Sequence, residues 1–308
     1  MSAPEQAAAP PPPVVRRPLR GETSPLTGAI WGVTCIALVL ALWFLATAGE
    51  SESRFVGPAT LPSPAETARS VPRVFDEGRL PLNTTVTLRR VCLGFGLAAA
   101  IGVPLGVLAA CFPELRAFLA PLTVFGRNIP VAALIPLTFF FFGIGELQKV
   151  MFLFIASVAF VVSDTTAAVR EVPQRYVDTA LTLGASRLQI ILKVLVPLAA
   201  PAVFNSLRLL FGIAFGYVML AEVVKLGGDA GGLGDLINVS QRRGQREPIL
   251  IVLFVIPLVA YGIDRALWWL QCDLFPHRYG GRGRLPRLYR WLVHDVAGRG
   301  GRGGEVRS

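Results

Sequence analysis

Apolar and polar residues fall along this chain in long blocks rather than in short alternation. Mostly apolar runs cover Thr27–Ala48, Arg90–Cys111, Phe118–Gly143, Lys149–Ser163, Ala199–Ala221 and Pro248–Leu270. A helix rising 1.5 Å per residue needs roughly 20 such residues to cross a hydrocarbon core about 30 Å thick. The pattern therefore predicts an all-α membrane protein with about six transmembrane helices. Pro121, Pro130 and Pro136 interrupt the third run. In the second, Ala98, Gly102, Gly106 and Ala110 recur every fourth residue and line one helix face. Small residues in that register let two backbones approach closely in lipid.

The blocks between these runs read differently. Residues 1–26 are rich in Ala and Pro, with four consecutive prolines from Pro10 to Pro13, and are expected to be disordered. Ala46-Thr47-Ala48 has the small residues of a cleavage site, but the preceding run is too long for a signal-peptide core, so an uncleaved first span is expected. Residues 49–87 are polar and broken by Pro58, Pro62, Pro64 and Pro72. Residues 273–308 form an Arg/Gly-rich tail. The membrane-spanning part of the chain is thus expected over 27–272, flanked by two appendages.

Composition agrees with a membrane solvent. Charged residues make up 16% of the chain and mean hydropathy is +0.56, against about 25% charged in a soluble domain. The net charge is +10, and much of it lies in the C-terminal tail, which fits an inside-facing segment near anionic lipid better than a nucleic-acid site. Six spans with an inside N-terminus place both termini in the cytoplasm, and the segments then inside hold more Lys and Arg than those outside. Cys35, Cys92, Cys111 and Cys272 lie in or beside apolar runs and read as buried, inert thiols. His277 and His294 have no partner at ligand spacing, so no metal site is expected.

Between spans four and five lies a stretch too polar for lipid, Asp164–Leu198. Tyr176–Leu183 has helical character, Gly184 interrupts, and Arg187–Val196 forms a second amphipathic piece with Leu188, Ile191, Leu192 and Leu195 spaced by three and four. Pro197 is expected to end it. Two short helices hinged at a glycine read as a docking element for a partner protein.

This stretch resembles the EAA motif, EAA-x3-G-x9-I-x-L-P, of binding-protein-dependent ABC permeases. Here it runs Asp178-Thr179-Ala180, Gly184, Val194, Val196 and Pro197, with every spacing kept and Thr179 the one change of character. Leu61-Pro62-Ser63-Pro64, Thr87-Leu88-Arg89-Arg90 with Gly94-Phe95, Phe142-Gly143-Ile144-Gly145-Glu146, Ser206-Leu207-Arg208 and Gly231-Gly232-Leu233-Gly234 are similar to the nitrate, sulfonate and taurine branch. The resemblance covers roughly 27–272. It implies a type I importer fold and an ATPase-coupling surface at Asp178, Thr179, Ala180, Gly184, Val194 and Pro197. It also implies a cytoplasmic ATPase subunit that binds ATP and Mg, a periplasmic or lipid-anchored binding protein and a second permease subunit, which a homodimer would supply.

The chain has no phosphate loop, HExxH, GxSxG or evident pair of intramembrane carboxylates, so it is read as a non-enzyme without a cofactor of its own. Gly227–Gly234 reads as a flexible outside loop near a binding protein. Intramembrane polar groups are costly and often functional, which singles out Arg127, Asn128, Asn205, Arg208 and Glu222. Arg127, Asn128 and Arg208 are the candidates for the translocation pathway; Arg208 is also placed to pair with a neighbouring helix. Glu222 is expected to be solvated at the outer membrane surface. The competing reading is a stand-alone ion-coupled transporter, which calls for an inverted repeat and discontinuous helices with carboxylates.

Overall fold

The computed structural model describes residues 24–49, 54, 56–57, 60–224 and 231–279. The expected tails, save 24–26 and 273–279, lie outside the described residues, as does the first half, 227–230, of the glycine-rich 227–234 loop. The chain divides into two units, Met1–Pro64 and Ala65–Ser308.

The first unit carries α1 (Pro25–Ala46), started by Ser24, whose hydroxyl accepts from the Thr27 amide. Its side chains are almost all exposed, as lipid-facing residues are. Trp43 Nε1 donates to the Pro62 carbonyl at 3.0 Å, which folds the following segment back onto the helix end.

The second unit runs α2 (Pro64–Asp76), α3 (Leu80–Cys111), α4 (Pro113–Asn128), a 3-10 turn (Val131–Ala133), α5 (Leu134–Phe142) and α6 (Glu146–Arg170). It continues with α7 (Gln174–Thr182), α8 (Arg187–Ile190), a π turn (Ile191–Leu195), α9 (Val196–Val223), α10 (Leu233–Arg242), α11 (Arg246–Leu274) and α12 (Pro276–Tyr279). Among the described residues five helices are long and apolar enough to span, and α4 with the 3-10 turn and α5, bent by 95°, adds a sixth if the pair counts as one broken span rather than a re-entrant loop. Of the three prolines in that run only Pro130 breaks it, because it follows Ile129 in an extended conformation. Pro121 lies inside a helix.

The core sits where α3, α6 and α9 meet, around Val91, Phe95, Ala98, Phe152, Leu153, Phe215 and Val218. Phe95 meets Phe211 edge to face at 5.5 Å. The small-residue stripe of α3 is packed on α6, and it begins a turn earlier than the sequence suggested. A Cβ on Gly94 would lie 2.5 Å from Leu153 Cβ, and one on Gly106 would lie 2.6 Å from Thr165 Cβ. Thr166 Oγ1 donates across the same contact to the Gly106 carbonyl at 3.1 Å. At its far end the buried small residue is Ala109 rather than Ala110, since a helix repeats at 3.6 residues and drifts off a strict fourfold register.

Two expectations change. Cys35 and Cys92 are exposed, and Cys111 and Cys272 half-buried; an apolar run places a thiol in lipid as readily as in a core. Pro197 does not end a helix. Arg187–Val223 is continuous over 37 residues: the Val196 amide donates five residues back to Ile191, and the widened π turn lets Pro197, with no amide to donate, enter the first turn of α9.

Candidate functional site: an exposed hairpin at one end of the bundle and a buried arginine at the other

The α7–α8 hairpin is fixed by local hydrogen bonds. Gly184 has φ +77°, the left-handed region where a side chain costs about 1–2 kcal/mol. Its amide donates to Leu181 O at 2.9 Å, and the Ala185 amide to Ala180 O at 3.0 Å, the paired bonds of a Schellman ending. Two residues on, Ser186 starts α8 with a capping box: its hydroxyl accepts from the Gln189 amide, and Gln189 Oε1 accepts from the Ser186 amide. The hairpin is thereby shaped without a core of its own. It presents Leu183, Leu188, Leu192, Leu181 and Tyr176 at 82%, 64%, 58%, 53% and 41% exposure. Ile190 is its buried anchor.

Of the expected coupling residues, Asp178, Thr179 and Gly184 are exposed on this hairpin and Ala180 is half-buried. Asp178 accepts from Gln174 Nε2 at 3.1 Å, and Thr179 donates to Arg175 O. Val194, half-buried on the π turn, and Pro197, exposed at the start of α9, stand further along the continuing helix.

α6 begins and α9 ends at the opposite end of the bundle, and there the structure assembles a cluster that sequence reasoning did not. Arg90 of α3 is fully buried. Its Nε donates to Glu146 Oε2 at 3.0 Å and its Nη2 to Glu146 Oε1. Its Nη1 lies 2.6 Å from Glu222 Oε1 and 2.9 Å from the Gly231 carbonyl. Glu222, 1% exposed, also accepts from Thr87 Oγ1 at 2.9 Å and from the Gly234 amide at 2.9 Å. The Leu233 amide donates to Thr87 and the Gly232 amide to Asn83. Glu222 is therefore not a solvated surface carboxylate; it is a buried counterion that caps α10 and ties it to α3 and α9. Gly232 and Gly234 permit this approach, since a Cβ on either would lie 2.5–2.6 Å from Glu222. Glu146 and Glu222 are a carboxylate pair across one arginine. The signal lay in three of the quoted segments, around Arg90, Glu146 and Gly231–Gly234, whose proximity no local pattern reveals.

Residues 102–268 match the family described as binding-protein-dependent transport system inner membrane component. That match covers more than half of the chain. The chain belongs to this permease family. The permease is 28% identical over 246 residues to the taurine transport system permease protein TauC of Escherichia coli, covering 78% of this chain and 87% of that one. It is 27% identical over 243 residues to the nitrate import permease protein NrtB of Synechococcus elongatus, covering 77% and 87%. Its fold is shared with a chain of the MetNI methionine ABC transporter in an inward-facing conformation, at a TM-score of 0.57, 24% identity, and coverage of 62% of this chain and 94% of that one. It is an all-α permease with the type I importer fold.

In the permease, the remaining polar residues lie between the two ends. Arg127 is exposed, donates to Ser163 Oγ at 2.6 Å and lies over the Phe160 ring at 5.5 Å. Asn128 is exposed at the end of α4 and bonds Val124 O of its own helix. Arg208 pairs with Asp264 of α11 at 3.0 Å and donates to Gln271 at 3.2 Å, so it has the neighbouring-helix partner its position suggested. Among the described residues no cluster of His, Cys, Asp or Glu could hold a metal ion.

Proposed function

We propose that this permease subunit moves a small anion, nitrate or a sulfonate such as taurine, into the cell by alternating access. ATP hydrolysis, with its ATP and Mg, belongs to a separate cytoplasmic ATPase that docks on the α7–α8 hairpin. The observation that carries this reading is the hairpin: a rigid polar-framed turn exposing four leucines and a tyrosine. An exposed apolar set of that kind marks an interaction surface, and the helix that continues from it reaches the far end of the bundle.

A periplasmic or lipid-anchored binding protein delivers solute at the end where α10 is tied down, and a second permease chain, a copy of this one, completes the pathway. Both termini then face the cytoplasm with the hairpin. Arg127, Asn128 and Arg208 are the proposed pathway contacts; the Asp264 carboxylate reduces the pull of Arg208 on an anion. The names of TauC and NrtB support the solute class, and the match to a binding-protein-dependent family supports the partners. The test is uptake of labelled nitrate and taurine by proteoliposomes holding the permease, its ATPase and binding protein. ATP-dependent uptake that requires the binding protein is expected. Uptake by the permease alone, driven by an ion gradient, would contradict the reading.

A further inference from the structure

We propose that the cleft between α4 and α6, at the α7–α8 end of the bundle, is a binding site for a phosphate-type oxyanion. Arg116, in the first turn of α4, and Arg170, in the last turn of α6, line one cavity of 270 Å³. The other polar groups lining it are the hydroxyls of Thr123, Ser163 and Thr166, and no carboxylate lines it. Among the described residues neither guanidinium makes an ion pair or a side-chain hydrogen bond. That contrasts with Arg90 and Arg208, which are both neutralised by carboxylates.

Two unpaired cations on one cleft repel each other unless an anion joins them, and a guanidinium holds an oxyanion through two parallel N–H donors. Ser163 Oγ already accepts from Arg127, so its own hydroxyl proton is free to donate into the cavity. The cavity has room for a phosphate group.

An oxyanion of this class has two sources. One is the headgroup of an anionic lipid, as basic pockets between transmembrane helices commonly hold. The surface beside the cleft suits it: α4 buries no side chain, and Phe118, Leu122 and Phe125 stand 71%, 64% and 71% exposed along an adjacent face, an apolar track for acyl chains. The other is a free oxyanion from solution.

The test is the melting temperature of the purified full-length permease in neutral detergent at constant ionic strength. Phosphatidylglycerol, phosphatidylcholine or inorganic phosphate is added. Wild type is expected to melt about 5 °C higher with phosphatidylglycerol than with phosphatidylcholine. Arg116→Gln/Arg170→Gln loses most of that gain, and Arg116→Lys/Arg170→Lys recovers part of it. Arg243→Gln, an exposed arginine at the other end, keeps it. A gain from inorganic phosphate alone, lost in the double glutamine variant, assigns the site to a free oxyanion. Equal responses of wild type and the double glutamine variant to both ligands would overturn the proposal. If that variant elutes as aggregate, native mass spectrometry of the lysine variant and Arg116→Gln alone decides, and unchanged retention of phosphatidylglycerol in both would overturn it.

Discussion

The two ends of this bundle are built by opposite means. At the hairpin end, shape comes from bonds between residues five or fewer apart, such as Ala185 to Ala180 and Ser186 to Gln189, and the leucines face outward. At the other end, Arg90 reaches Glu146 and Glu222 across 56 and 132 residues; Arg90 and Glu222 face inward while Glu146 stays exposed at the rim. A surface held by local bonds keeps its form while its side chains stay available to a partner. A buried arginine shared between distant carboxylates instead fixes four helices against one another. The proposed docking surface and the buried cluster are thereby separated along α6 and α9, which join the two ends.

The sharpest way to break this comparison is to unpair the buried end. Removing one partner of a buried ion pair leaves an uncompensated charge and costs about 3–5 kcal/mol. Arg90→Met and Glu222→Ala are therefore expected to lower the melting temperature of the detergent-purified permease severely or abolish the folded peak in size exclusion. A near-wild-type melt for both would show that the cluster does not hold the bundle. Next in size is the α3–α6 seam. Gly106→Leu forces a side chain against Thr165 and the Val162 carbonyl, and overpacking of this kind costs about 1–3 kcal/mol, read by the same melt; the loss should exceed that of Gly96→Leu, where a Cβ meets nothing within 4 Å.

Smaller again is Gly184→Ala. No neighbour lies within 4 Å of a Cβ there, so the whole cost is the left-handed backbone, about 1–2 kcal/mol, and it falls on the hairpin. The global melt should shift by a few degrees at most, while ATPase retention drops more. The smallest effect on stability is expected for Leu183→Ala: a side chain 82% exposed changes folding by less than about 0.5 kcal/mol. A clear destabilisation by Leu183→Ala would mean that the leucine packs within the chain rather than awaiting a partner.

The same division explains what could be read from the sequence. Span positions, the hinge at Gly184 and the small-residue stripe rest on composition and on spacings of three or four, so they were legible, with the helix ends short by several residues where polar turns continue a span. Pro197 misled because a π turn depends on the surrounding packing, not on the proline alone. Glu222 misled most: a carboxylate near the end of an apolar run looks solvated until Arg90, Thr87 and the Gly234 amide are known to converge on it. Asp178, Thr179 and Ala180 were selected through a motif; exposed leucines stand beside them, and their coupling role belongs to the proposal.

The most direct measurement of the central claim is co-purification of the ATPase subunit with wild-type permease and with Leu183→Asp/Leu188→Asp, alongside Gly184→Trp. The account expects wild type to retain the ATPase, and all three chains to elute as folded species with both variants losing it. Undiminished ATPase retention by the Leu183→Asp/Leu188→Asp chain would contradict docking on this hairpin.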